Sequence, residues 1–138
     1  MDFSSINWLA VGACVIFSMI SGSLWFGPKT FFPIWWKAIG KLESDGPNGA
    51  PSTWILIIVS SIVQAVFMAL VVNAMGSMSG GATFGSGLKT GLLLWIGFIA
   101  PSSLVNKLFP GQIKAWAIEA GNHLINFAVF GAILGAWQ

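Results

Sequence analysis

Residues 53–75 read TWILIIVSSIVQAVFMALVVNAM and contain no charged side chain. At 1.5 Å per residue, a helix of this length crosses the roughly 30 Å hydrocarbon core of a bilayer. Three further stretches share this length and apolar character, at residues 6–26, 87–105 and 115–137. The four stretches take up most of the chain, so we expect one transmembrane domain over residues 1–138. Its predicted fold is an all-α membrane protein, a compact bundle of four transmembrane helices.

The overall composition excludes a water-soluble domain. Hydrophobic residues make up 56% of the chain and charged residues 7%, too few polar side chains to cover a soluble protein of this size. The chain contains six lysines, four acidic residues and no arginine. Nucleic-acid binding requires clustered arginine and lysine, so we expect the lipid bilayer as a partner and no nucleic acid.

The connection between the first two spans contains a short amphipathic segment at residues 31–42. Its aromatic and aliphatic residues recur at helical spacing, with Lys37 and Lys41 between them, and Pro33 suits a first helical turn. This pattern predicts a short helix that lies in the membrane interface. Residues 43–51 follow it and are rich in glycine and proline, which predicts a polar turn.

The lysines predict the orientation of the bundle. With four spans, both termini lie on one side, and the first and third loops lie on the other. Only Lys89 belongs to the terminal side. The other five lysines fall in the first and third loops, at Lys29, Lys37, Lys41, Lys107 and Lys114. Short lysine-rich loops stay in the cytoplasm, so we expect loops one and three inside and both termini outside.

Tryptophans cluster near the predicted cytoplasmic ends of the spans. Amphipathic indole rings prefer the headgroup level of a bilayer, so these residues are predicted to be interfacial anchors. The five predicted anchors are Trp25, Trp35, Trp36, Trp54 and Trp116. Trp95 lies near the middle of the third span, and we expect it to fill a gap between helices.

Polar residues form a stripe on the fourth span. At 100° per residue, Glu119, Asn122, His123 and Asn126 fall within an arc of about 100°. Counting 1.5 Å per residue from the cytoplasmic ends places polar residues of the other spans at similar depths. Polar groups in lipid need partners, so we expect one inward-facing cluster in the cytoplasmic half. Its predicted members are Ser18, Ser60, Gln64, Ser102, Ser103, Asn106, Glu119, Asn122, His123 and Asn126.

This predicted cluster permits two interpretations. Glu119 and His123 lie one helical turn apart, so together they could relay protons or bind a cation. Alternatively, Glu119 pairs with Lys107 or Lys114, and His123 and the two asparagines only hold the helices in register. The sequence favours the structural interpretation, because Glu119 lies about 6 Å from the interface, where a lone acid is tolerated without a function.

The sequence predicts no metal site, no catalytic residues and no cofactor. One histidine and the single cysteine, Cys14, fall short of a three-ligand or four-ligand site. Ligation of haem or another pigment by His123 would require an open cavity or a symmetry partner and is not favoured. No nucleophile with a nearby base can be recognised, so we expect that the protein is not an enzyme.

Small residues line the opposite face of the fourth span. Two of them form a Gly-x-x-x-Gly spacing that lets another helix backbone approach closely. The predicted packing or partner interface consists of Gly121, Ala128, Gly131, Ala132 and Gly135. We expect a non-enzymatic protein that acts through assembly, as a homo-oligomer or as an accessory subunit of a larger, possibly bioenergetic, membrane complex. The alternative is a small transporter or ion-coupled carrier that uses the polar cluster.

Several motifs together resemble a known family. They are Ile6-Asn-Trp-Leu-Ala10, Leu24-Trp-Phe-Gly-Pro28, Trp95-Ile-Gly-Phe98 with Pro101-Ser-Ser103, and Gly121-Asn-His-Leu124 leading to Gly131-Ala-Ile-Leu-Gly-Ala-Trp137. In this order they resemble domain-of-unknown-function family 1761 over nearly the whole chain, except residues 43–51. The resemblance implies a small, mainly bacterial, four-helix membrane protein without an established activity, so we expect the bacterial inner membrane as its location.

Overall fold

The computed structural model describes residues 2–138, and within them every regular element is helical. The elements are a 3-10 turn at Phe3–Ser5, α1 at Trp8–Trp25, α2 at Phe32–Ala38, α3 at Pro51–Met78, α4 at Phe84–Leu94, a π-helical segment at Trp95–Ile99, α5 at Ala100–Leu108 and α6 at Ile113–Ala136. The third span consists of α4, the π segment and α5 in one continuous stretch. Four spans are thus long and apolar enough to cross a membrane, which confirms the predicted fold class.

The helix ends differ from the predicted ones because capping residues set them. The third span begins at Phe84, three residues early, because the side chains of Thr83 and Ser86 form a capping box. α3 begins at Pro51, a residue type that suits a first helical turn. α2 is shorter than residues 31–42, because Gly40 adopts a φ of 82° just after its last residues.

The π segment of the third span lies directly before Pro101, which has no backbone N–H to donate. Two serine hydroxyls donate to carbonyl groups of this region. Ser102 donates to the carbonyl of Phe98 at 2.5 Å, and Ser103 donates to that of Ile99 at 2.7 Å. In a bilayer, side-chain donors of this kind give carbonyl groups next to an irregular helical turn a further hydrogen-bond partner.

α6 is the central helix and contacts α1, α2, α3, α4 and α5. We call the two ends of the bundle the terminal end, where both termini lie, and the loop end, where α2 lies. The apolar core is concentrated toward the terminal end, where Val11, Val72, Phe130 and Leu134 are among its buried residues. The loop end is held together mainly by polar contacts, and these are described below.

α4 and α6 approach each other through glycines on both helices. A β-carbon placed on Gly87 would collide with the carbonyl group of Gly131, and one placed on Gly131 would collide with that of Gly87. Gly91 and Gly135 extend the same contact toward the two ends of the bundle. We call this contact the α4–α6 seam. Because no side chain separates the two backbones there, the helices pack at the shortest range that a helix pair allows.

The first half of α3 lies apart from the bundle. All seven residues from Trp54 to Ser60 are exposed, and they make nearly two full turns, so no side of the helix is covered there. Burial on α3 begins only at Ser61 and continues through Gly76. We call residues 54–60 the free half of α3. Within one helix, residues from Ser61 onward contribute to the core, and residues 54–60 do not.

Candidate functional site

A buried polar core joins α1, α3 and α6 near the middle of the bundle. Ser21 on α1 accepts a hydrogen bond from the amide of Asn122 on α6 at 3.1 Å. One turn farther from the loop end, the hydroxyls of Ser18 on α1 and Ser61 on α3 share a hydrogen bond of 2.5 Å. Ser18, Ser61 and Asn122 are all buried. Since interhelical hydrogen bonds hold helices together in lipid, these pairs fix the register of the three helices.

Asn126 extends this core and leaves one polar atom unpaired. Its Nδ2 donates to Oδ1 of Asn122 at 3.2 Å. Its own Oδ1 is buried and has no hydrogen-bond partner within residues 2–138, and the residue is only 8% exposed. A buried acceptor without a partner costs free energy, so this carbonyl is the one point in the core where a further donor would be favourable.

Glu119 links three elements at the loop end. Its Oε1 accepts a hydrogen bond from Nε1 of Trp35 on α2 at 2.8 Å and contacts Nζ of Lys107 on α5 at 3.0 Å. Both charged side chains are about one-fifth exposed, at 22% for Lys107 and 21% for Glu119. Of the two lysines predicted as partners of Glu119, Lys107 forms the ion pair. The pair ties α2 and the end of α5 to α6.

Three indole groups donate to three consecutive residues of α6. Nε1 of Trp25 donates to the carbonyl of residue 118 at 2.9 Å, that of Trp35 to the side chain of Glu119, and that of Trp95 to the carbonyl of residue 120 at 3.0 Å. The donors come from α1, α2 and the π segment. The start of α6 is thus held from three directions by rigid aromatic side chains.

The predicted interfacial anchors act mainly as links within the protein. The indole N–H of Trp116 donates to Ala100 and Ser103, and that of Trp36 donates to the carbonyl of Leu42. Together with Trp25 and Trp35, four of the five therefore use their N–H groups inside the molecule. Trp54 is the fifth, and its ring is 58% exposed on the free half of α3.

The predicted polar cluster is only partly assembled. Ser60 lies on the exposed side of α3, and Gln64 donates only to Ser60 on the same helix, at 3.4 Å. Ser102 is exposed and bonds to its own backbone, and Asn106 is exposed at the end of α5. For Ser60, Ser102 and Asn106 the predicted inward position is wrong, whereas Gln64 is half-buried and makes no hydrogen bond to another helix among the described residues. Residues at the same depth can point in different directions around their helices, and only those that face one another come into contact.

Ser21 and Ser61 belong to the polar core and were absent from the prediction. Ser61 follows Ser60 directly, so the two have the same depth within about 1.5 Å but point about 100° apart around α3. A helical-wheel comparison with the buried residues Ala65, Met68 and Val72 would have selected Ser61, because it shares their face.

His123 and Glu119 do not form a hydrogen-bonded pair. The imidazole of His123 is half-buried, and no hydrogen-bond partner for it occurs among the described residues 2–138. In the same part of the chain no three histidine, cysteine or carboxylate side chains gather where they could hold a metal ion. The relay interpretation therefore has no continuous chain of hydrogen bonds in this conformation.

The small-residue face of α6 is already occupied within the same molecule. Gly131 and Gly135 pack against α4 in the seam, and Gly121 packs against the ring of Trp25. Ala132 is buried, and Ala128 is half-buried beside an open apolar groove. Of the two predicted roles of this face, helix packing is the one that the structure shows for Gly131 and Gly135, because α4 of the same chain uses the glycine spacing.

Four apolar spans and a polar interior define the class as a small four-helix integral membrane protein. The chain belongs to the DUF1761 family of proteins of unknown function, whose sequence profile matches residues 9–135. The match confirms the resemblance that the motifs indicated. No curated protein and no solved structure matches the chain.

Proposed function

We propose that this protein acts through assembly, as a non-enzymatic subunit in the bacterial inner membrane, with both termini outside and the α2 side in the cytoplasm. The surface that carries the proposal is the free half of α3. The α4–α6 seam cannot serve this purpose, because it is filled. A membrane-embedded partner would bind along α3, where the protein's own helices leave every side of the helix uncovered.

The position of Gln64 supports this proposal. It lies roughly 20 Å from Pro51 at 1.5 Å per residue, close to the middle of α3 and of a bilayer. Its only hydrogen bond within residues 2–138 is a long one to Ser60, so most of its polar capacity is unused. In lipid, a carboxamide at this depth is stabilised by donors and acceptors on a neighbouring helix, and such residues promote helix association.

Photo-crosslinking tests the proposal in the native membrane. A p-benzoylphenylalanine residue at position 56, in the free half, replaces Leu56, which is 66% exposed. The matched control replaces Ile16 on α1, which is 63% exposed but lies on a helix whose other side is packed. We expect a protein adduct from position 56, identified by mass spectrometry, and none from position 16. Adducts with lipid alone at both positions would contradict the proposal.

A carrier is the second candidate, and the unpaired Oδ1 of Asn126 is the observation that favours it. An ion or a polar substrate would supply the partner that this atom lacks. A layer of buried apolar residues, including Val11, Phe130 and Leu134, separates the polar core from the terminal end, which is why we place assembly first. Proteoliposome flux that is lost in Asn126→Leu and retained in Ser60→Ala would reverse this order.

A further inference from the structure

We infer that the partner on α3 is a second copy of this chain, packed as a parallel pair of α3 helices around a twofold axis along the membrane normal. This inference rests on the proposed assembly through α3 and specifies its partner. It is based on three features of the helix: the spacing of its exposed and half-buried residues, the chemistry of Gln64 and the absence of charge.

The first feature is a stripe with the spacing of a coiled coil. Steps of four and three residues alternate along one side of α3, and no residue of this stripe is buried. We call it the α3 stripe, and it consists of Thr53, Ile57, Ser60, Gln64, Phe67, Val71, Ala74 and Met78. A repeat of 3.5 residues keeps one face of a helix against a partner over its whole length, with a small left-handed crossing angle.

The second feature is chemical self-complementarity. Two copies inserted in the same orientation have parallel α3 helices, so each residue of the stripe meets its own counterpart at the same depth. A carboxamide carries both donors and an acceptor, so two Gln64 side chains can bond to each other reciprocally. Ser60, one turn away, is likewise both donor and acceptor. A self-pairing residue at the centre of a symmetric contact is how polar residues set register in parallel helix pairs.

The third feature is charge. Residues 51–78 contain no aspartate, glutamate, lysine or arginine, so two copies of α3 do not repel each other. The charged residues of the loop end lie outside α3, and Lys107 is paired within its own molecule. A surface without charge, with Gln64 and Ser60 near its centre, fits a copy of itself better than it fits a charged transmembrane segment.

Disulfide crosslinking tests the geometry. In a Cys14→Ala background, which removes the single native cysteine, Ile57→Cys on the α3 stripe is oxidised in membranes and compared with Ile55→Cys, so that Gln64 stays in place. Ile55 is two residues away and therefore points about 200° from Ile57 around the helix, and both side chains are exposed. We expect a species of twice the mass with Ile57→Cys and at least a tenfold lower yield with Ile55→Cys. Equal yields, or no dimer at position 57, would overturn the inference.

A second measurement tests the role of the carboxamide. Two differently tagged copies are co-expressed, and their association in detergent is measured for Gln64→Leu and Gln64→Asn. We expect association to weaken about threefold to tenfold in the leucine variant and to be largely retained in the asparagine variant, which keeps both donor and acceptor. Gln64 bonds only to its own helix, so neither change should disturb the bundle. Unchanged association of Gln64→Leu would overturn the role of Gln64.

The two proposals fail in different ways. Suppose that position 56 crosslinks to a different protein while Ile57→Cys forms no dimer. The second copy is then excluded, and assembly through α3 stands. If position 56 captures only lipid and Ile57→Cys forms no dimer, both proposals are wrong. A dimer at position 57 together with a crosslink to the same chain at position 56 supports both.

Discussion

The α4–α6 seam and the free half of α3 are two apolar surfaces of the same small protein with opposite properties. In the seam, glycines on both helices bring the backbones into direct contact. In the free half, large residues such as Trp54, Ile55 and Leu56 are exposed on every side. Hydrophobicity does not distinguish the two surfaces. What distinguishes them is the size of the side chains along the contact.

The physical reason lies in the solvent. Lipid tails are as apolar as leucine, so burying an aliphatic side chain against another helix gains little in a bilayer. Close backbone approach and hydrogen bonds are the remaining contributions, and Gly87 and Gly131 supply the first of these. Among residues 2–138, the free half of α3 makes neither a close backbone contact nor an interhelical hydrogen bond with the rest of its own bundle. The proposed assembly therefore requires a partner that brings matching polar groups to α3.

The largest effect is expected from adding a methyl group to the seam. Gly131→Ala places a β-carbon on the carbonyl of Gly87, so the helices must move apart, and we expect a loss of about 2–3 kcal/mol of stability. Gly12→Ala on α1 is the matched control, because nothing lies within 4 Å of a β-carbon there. It should be neutral or stabilise by up to about 1 kcal/mol. Unfolding in mixed detergent micelles measures both, and equal effects would show that the seam is not tightly packed.

A smaller effect is expected at the loop end, where polar contacts replace glycine packing. Lys107→Met leaves Glu119 without its charged partner, and we expect a loss of about 1–2 kcal/mol together with faster hydrogen exchange in α2. Lys114→Met is the control, because Lys114 is exposed and forms no ion pair among the described residues. If α2 exchanges equally fast in both variants, the Lys107 contact does not hold it in place.

Two adjacent serines test the boundary between the packed and free halves of α3. Ser61→Ala removes the hydrogen bond to Ser18 and should cost about 0.6–1 kcal/mol. Ser60→Ala removes only a long contact with Gln64 on the same helix and should leave the stability of the monomer unchanged. Thermal unfolding in detergent compares them. A larger loss in Ser60→Ala would mean that the free half packs against the bundle.

The smallest effect concerns the N-terminal turn beside the packed half of α3, where Asn73 donates to Ser5. Hydrogen bonds from the side chain and backbone of Ser4 hold the pKa of Asp2 below its ordinary value of 3.8. The contribution of Asp2 is therefore complete above that value and is lost as the pH falls through the lower pKa of the folded state. An NMR titration should show the pKa of Asp2 rising in Ser4→Ala. An unchanged pKa would exclude the hydroxyl of Ser4 as a cause, because alanine keeps the backbone N–H.

The partners of Glu119 and Gln64 show how far the site could be predicted. Lys107 was one of two lysines within reach of Glu119 by depth alone, and the structure selects it. Gln64 was assigned to the polar cluster because its depth matched that of Asn126, but it is half-buried and bonds only to Ser60 on its own helix within the described residues. The depth of a residue along its helix can be calculated from its residue number. The direction in which a helix turns its face depends on where its neighbours lie.

The number, length and order of the four spans follow from the amino-acid sequence, because a bilayer demands a continuous apolar helix of known length. The small-residue spacing on α6 likewise predicts a close helix contact. Which helix fills that contact was decided only by the packed structure, in which α4 brings its own Gly87 and Gly91 to the same face. A glycine spacing is the same whether its partner lies in one chain or in another, so only the three-dimensional arrangement of the spans could distinguish the two.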